Sequence, residues 1–153
     1  MPLPRAITAR QLRVFDLETT GVDVETDRVV QFGTATFRNG ALLRVEDTLV
    51  NPCTPIPMEA SNVHNIFDRD VEDAPTFGLV GDTVAHTLAQ SEEQVLCGYN
   101  ALRFDVPLLN AALLACERSK RAKERLAVSR RKGAWAEERK AGGTSGAGSC
   151  TRA

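Results

Sequence analysis

The sequence predicts an α/β domain: a mixed sheet, begun as an antiparallel three-strand meander and continued by parallel strands, with flanking helices. Three observations predict it. Residues 12–17 are almost continuously apolar apart from Arg13, the pattern of a strand buried on both faces. Residues 28–38 and 41–50 are rich in β-branched and aromatic side chains and are separated by Asn39-Gly40, the strongest short hairpin signal. From Asp73 onward helical and strand-like patterns alternate, and such crossovers lay later strands parallel to the first.

Taken in order, residues 12–17 form the expected central strand, followed by the two hairpin strands. Residues 51–57 carry Pro52, Pro55 and Pro57, which break regular structure ahead of a short helical stretch over residues 58–62, with His64 just after it. Asp73 with Pro75 marks a helix start, and Phe77, Val80, Val84 and Leu88 recur at helical spacing, interrupted by Gly78 and Gly81. Residues 93–99 read as another buried strand. Residues 104–116 read as a helix that tolerates Pro107 in its first turn.

The chain has 153 residues, room for one compact domain. No long apolar run suggests secretion or a membrane span. Cys53, Cys97, Cys116 and Cys150 form no CxxC pair and accompany only two histidines, so neither a zinc site nor a disulfide framework is indicated, and a reducing cytoplasmic setting is expected. The net charge of −1 conceals a polarity. Residues 1–116 hold 8 arginines, no lysine and 16 acids, a net of −8, whereas residues 117–153 hold 11 basic and 4 acidic residues, a net of +7. Bare carboxylates repel a polyanion across a Debye length of about 8 Å, so an acidic body suits phosphate chemistry only if the carboxylates hold cations.

Asp16 and Glu18 stand two apart on the expected strand, and their carboxylates therefore share a face near its C-terminal end. A polar strand end entering a glycine turn explains a bare Asp-x-Glu equally well. Asp105 falls where a helix begins, where the macrodipole favours its ionised form and its side chain can meet the pair. Two carboxylates crowded together in a mostly buried setting repel, and a hard divalent cation is the usual remedy.

The flanking residues carry more. Residues 14–21, Val-Phe-Asp-Leu-Glu-Thr-Thr-Gly, residues 63–66, Val-His-Asn-Ile, and residues 98–105, Gly-Tyr-Asn-Ala-Leu-Arg-Phe-Asp, resemble in order and spacing the motifs of the DEDD-superfamily, proofreading-type 3′→5′ exonucleases on an RNase H-like fold. The resemblance covers about residues 11–116. It implies two magnesium or manganese ions about 4 Å apart in the intact family, and as few as one in this chain. It also implies that Asp16 bridges them, that Glu18 ligates the ion bearing the attacking water, and that Asp105 ligates the other. Thr19 and Thr20 would then approach the terminal nucleotide, and the implied substrate is a single-stranded DNA 3′ end, with RNA as the variant, beside a polymerase or repair protein. Asn100 and Phe104 fit a role in positioning the strand, and equally a satisfied turn amide and a core ring. His64 fits a substrate contact and equally a polar loop residue, while His86 reads as an exposed helical residue.

The family chemistry also calls for a fourth aspartate and, five residues before it, a histidine or tyrosine base. After Asp105 the sequence has no Asp and no His, and its one tyrosine, Tyr99, lies inside the third motif. The expectation is therefore a partial exonuclease domain over residues 1–116, lacking the last strand and helix, and a basic, low-complexity tail over residues 117–153. That tail reads as a solvated helix followed by disorder, as an arm for nucleic-acid phosphates, or as the product of a truncated or out-of-frame coding sequence.

Overall fold

A computed structural model of the chain describes the backbone of residues 11–89 and 94–141, and side chains in those stretches up to residue 124. The chain forms two units, one ending at Cys116 and the other beginning at Glu117. Among the described residues the strands are β1 (Gln11–Thr19), β2 (Val29–Arg38), β3 (Ala41–Leu49) and β4 (Gln94–Cys97). The helices are α1 (Met58–His64), α2 (Asp68–Val71), α3 (Phe77–Leu88) and α4 (Asp105–Ala141). The strands form one sheet in the order β3-β2-β1-β4.

The meander comes from local chemistry. Asn39 and Gly40 take φ values of 52° and 80°, the doubly positive turn whose twist matches paired strands, and β2 and β3 then run antiparallel from Arg38 opposite Ala41. β1 pairs antiparallel with β2 through nine residues, from Gln11 opposite Arg38 to Thr19 opposite Val29, with an irregularity between Glu18 and Thr19. β4 pairs in parallel with the first part of β1, Gln11 to Val14. The expected mixed sheet is therefore present, with β1 inside it.

Burial along β1 alternates at its functional end: Phe15, Leu17 and Thr19 are buried, whereas Asp16 is exposed and Glu18 half-buried. The expectation of a strand buried on both faces is corrected here, because the face opposite Phe15 and Leu17 carries charge. Phe15, Leu17 and Phe32 pack with Val84 of α3 and with Leu108 and Leu109 of α4 into the main core. Fully burying a leucine such as Leu108 contributes about 1.5–3 kcal/mol. A smaller cluster joins Val30 to Ile56, Ile66 and Val71 in the segment of α1 and α2. Arg13, the one charge in the apolar run, donates from Nη1 to the carbonyl of Thr87 near the C-terminus of α3, where a cation meets the negative end of the helix dipole.

Some boundaries differ from expectation. α1 extends through His64, its last helical residue, and ends on Asn65 in the left-handed region. The single turn α2 has no periodic signature. It is held from outside, by the Ile56 N–H donating to Asp68 at 2.8 Å and the Phe67 N–H donating to Asp70 at 2.8 Å. The expected strand over residues 93–99 contracts to Gln94–Cys97, with residue 93 outside the described residues. Helix α4 continues through residue 141; the low-complexity residues 142–153 lie outside the described residues. No helix among the described residues is long and apolar enough to cross a membrane.

Candidate carboxylate site

The site is assembled at the C-terminal half of β1. Because β4 pairs only as far as Val14, the β1 edge beyond that point has no strand partner on that side among the described residues. Residues 98–105 cross there. Gly98 permits the crossing: a Cβ on it would lie 3.0 Å from the carbonyl oxygen of Phe15 and 2.8 Å from Cβ of Ala101. Asn100 then turns the chain with φ of 53°, its carbonyl accepting from the N–H groups of Arg103 and Phe104 at 2.9 and 3.2 Å, and α4 begins at Asp105.

Asp105 is 3% exposed. The backbone N–H groups of Asp105 itself and of Leu17 favour its charged form. Burial, and next the charge of Asp16, raise the Asp105 pKa above the ordinary aspartate value, and the two backbone donors oppose the rise. Glu18 is also shifted upward, first by burial, then by Asp16 and Asp105, with His64 pulling in the opposite direction. Three acids and one histidine therefore share one electrostatic neighbourhood. Like charges that raise one another's pKa favour the binding of a cation, and oxygen donors suit a hard divalent ion. Among the described residues, however, no three His, Cys, Asp or Glu side chains are drawn together closely enough to hold a metal ion. The donor chemistry fits such an ion; the ligand shell is not closed.

His64 has a defined tautomer. Its Nδ1 accepts from the Ile66 N–H at 3.0 Å, so the neutral ring carries its proton on Nε2. That Nε2 is buried with no hydrogen-bond partner among the described residues.

The remaining candidates have internal roles. The Thr19 hydroxyl donates to the Gly21 carbonyl at 2.6 Å, and the Thr20 hydroxyl donates to Asp27 at 2.8 Å while accepting from the Arg28 N–H at 2.9 Å. Asp27 also accepts from the Asp23 N–H at 2.8 Å. Both threonines are buried, and both hydroxyls close the loop joining β1 to β2. Phe104 packs half-buried against the main core, and the Asn100 side chain is exposed. His86 is exposed in the last turn of α3. The sequence reading missed Gly98 and Asp27. Gly98 lay inside a motif it had singled out; nothing in the spacing of Asp27 distinguishes it from other loop acids.

A groove of about 750 Å³ opens between α3, β4 and the start of α4, lined by Val84, Leu88, Leu96, Arg103, Leu109 and Leu113 among others. None of the three carboxylates lines it.

Fold and site together define an α/β domain with an acidic, oxygen-donor site at the end of its inner strand. The family model described as Exonuclease matches residues 14–126, and the chain belongs to that family. It is 33% identical over 104 residues to the DNA polymerase III subunit epsilon of Treponema pallidum, an alignment covering 68% of this chain and 46% of that protein. It is 36% identical over 120 residues to a DNA polymerase III subunit epsilon-like protein of Rhodobacter capsulatus, covering 67% of this chain and 17% of that protein. The chain thus spans less than half the length of these curated relatives. Among solved structures, E. coli exonuclease I in complex with a dT13 oligonucleotide superposes with a TM-score of 0.58 at 17% identity, over 65% of this chain and 22% of that one. The zinc-bound form of an E. coli exonuclease I complex with single-stranded DNA gives 0.62 at 16% identity, over 69% and 23%. At such identities these structures show the fold, an RNase H-like mixed sheet, and nothing finer.

Proposed function

We propose that this chain is the nucleotide-removing part of a divalent-metal-dependent exonuclease that releases nucleoside monophosphates from DNA 3′ ends, as in proofreading or repair. Single-stranded ends are the preferred substrate and RNA ends the variant. The observation that supports the reading is the mutual electrostatic influence of buried Asp105, at the start of α4, and Asp16 and Glu18, at the end of β1. Family membership supplies the reaction class, and the polymerase III relatives make a polymerase the natural companion.

In this reading Asp16, Glu18 and Asp105 would hold Mg²⁺ or Mn²⁺, two ions in the intact family and as few as one in this chain, whose sequence after Asp105 offers no further aspartate. Bound there, the ions would supply a polarised water and neutralise charge on the scissile phosphate. The rest is done by this chain. The ionised forms of Glu18 and Asp105 would be favoured by a cation bound beside them, against the upward shifts of the metal-free site. Asp105 keeps its geometry through the Leu17 N–H, and His64 offers its Nε2 proton to an oxygen of the terminal nucleotide. His64 is thereby a donor and not the base that takes the proton of water.

A second reading has its own support. Residues 106–153 contain neither Asp nor His, and no three potential ligands stand ready for an ion among the described residues. On this reading the chain binds nucleic acid without turning it over. The discriminating experiment follows nucleotide release from a 3′-end-labelled single strand with Mg²⁺ or Mn²⁺, for the parent chain, Asp16→Ala and a metal-free control. Metal-dependent release that falls on the order of 100-fold or more in Asp16→Ala supports the exonuclease. Release that survives Asp16→Ala rejects this site, and no release from folded protein that binds the oligonucleotide establishes the second reading.

A further inference from the structure

We infer that α4, in its second-unit part, is a linear binding element for a polynucleotide phosphate backbone. Helix α4 continues to residue 141, so residues 117–141 can be placed on its faces. Arg118, Arg125, Lys132 and Arg139 recur every seven residues. An α-helix drifts only about 20° per seven residues, so these four positions stay within an arc of about 60°. Arg121, three residues after Arg118, falls inside the same arc. At 1.5 Å per residue the stripe is about 32 Å long. None of the four glutamates of this stretch, Glu117, Glu124, Glu137 and Glu138, occupies the arc. Glu117 borders it and pairs with Arg121 at 3.9 Å, an exposed ion pair of little energetic weight.

The nature of the partner follows from what the other faces hold. Leu126, Val128 and Trp135 are the large apolar residues of this stretch, and their positions fall on both sides of the stripe, so no apolar face exists to enter a lipid surface. What remains is a row of cations at a regular pitch, complementary to a polyanion that also repeats its charge. Nucleic acid has that property, and its binding through lysine and arginine releases counterions in proportion to the phosphates neutralised. This inference stands apart from the carboxylate chemistry: binding along the helix needs no cleavage and no divalent ion.

The test uses the full chain in EDTA, with anisotropy of a fluorescein-labelled oligodeoxythymidylate and the fluorescence of Trp135, the chain's one tryptophan, as independent readouts. Binding is followed against salt for the parent and two variants of equal charge. One is the stripe variant Arg125→Gln/Lys132→Gln/Arg139→Gln. The other is an off-stripe variant, Lys123→Gln/Arg130→Gln/Arg131→Gln. Glutamine preserves helix propensity, and circular dichroism of both variants checks that it has. The expected result is a salt slope shallower by about 2 in the stripe variant, from about 0.7 per contact on a single strand, and by less than half of that in the off-stripe variant. Equal losses in the two variants overturn the stripe. Absence of oligonucleotide binding by the parent overturns the proposal altogether, as does tighter binding to phosphatidylserine vesicles or salt-sensitive self-association that excludes the oligonucleotide.

Discussion

At the scale of single residues, the site depends on an absence of atoms as much as on its carboxylates. A methyl group on Gly98 would press on the Phe15 carbonyl, a backbone atom within β1 that cannot yield cheaply. Gly98→Ala is expected to cost about 1–3 kcal/mol in a denaturant titration, and to weaken metal binding as well, because the crossing it displaces carries Asp105. Glu18 and Asp105 carry a pH dependence of definite sign. Both have folded-state pKa values above their ordinary ones, so the folded form binds the extra protons. The stability they allow is full at acid pH and is lost as pH rises from their unfolded values through their raised folded values. Glu18→Gln should therefore stabilise the metal-free chain at pH 7 by about 0.5 kcal/mol once solvent screening is allowed for, or ~1–2 °C in melting temperature. That gain should vanish as pH falls below the glutamate range, and Mn²⁺ should reverse the order of the two proteins. A Glu18→Gln variant less stable than the parent at pH 7 without metal would contradict the crowding of acids described for this site.

At the scale of elements, legibility followed how local each cause is. The turn at Asn39-Gly40 could be read from two residues because its backbone conformation is theirs alone. Helix α3 could be read from its stripe, while the apparent flaw at Gly81 has a packing cause no stripe reveals: a Cβ there would lie 3.2 Å from the Phe77 ring and 3.5 Å from Leu113 of α4. The turn α2 was invisible, since Asp68 and Asp70 serve N–H groups outside it. The carboxylate positions were legible because strand alternation puts Asp16 and Glu18 on one face and a helix start places Asp105. The spent hydroxyls of Thr19 and Thr20 were not, because nothing in their spacing announces the Gly21 carbonyl and Asp27 as their respective partners. The tautomer of His64 likewise depends on a neighbour's backbone, Ile66, and not on the motif that drew attention to the ring.

At the scale of the whole molecule, the division after Cys116 separates an acidic unit from a basic one, and the two tests above address them separately: turnover for the carboxylates, metal-free salt dependence for the helix. Pairing in the sheet is also uneven in sequence distance, and this has a consequence for how the site comes into being. β2 with β3, and β1 with β2, join neighbours in the chain. β1 with β4 joins residues 11–14 to residues 94–97, and a long loop must close before that pairing gives any return. The meander is therefore expected to be formed in the folding transition state, with β4 and the first turns of α4 joining late. Truncations should report it: Phe32→Leu should slow refolding, whereas Leu108→Ala should chiefly speed unfolding, and the opposite pattern would reverse the order. During synthesis the Asp16/Glu18 pair would then be in place while Asp105 is still arriving, so a nascent chain passes through a stage with two of the three carboxylates crowded together and the third still absent.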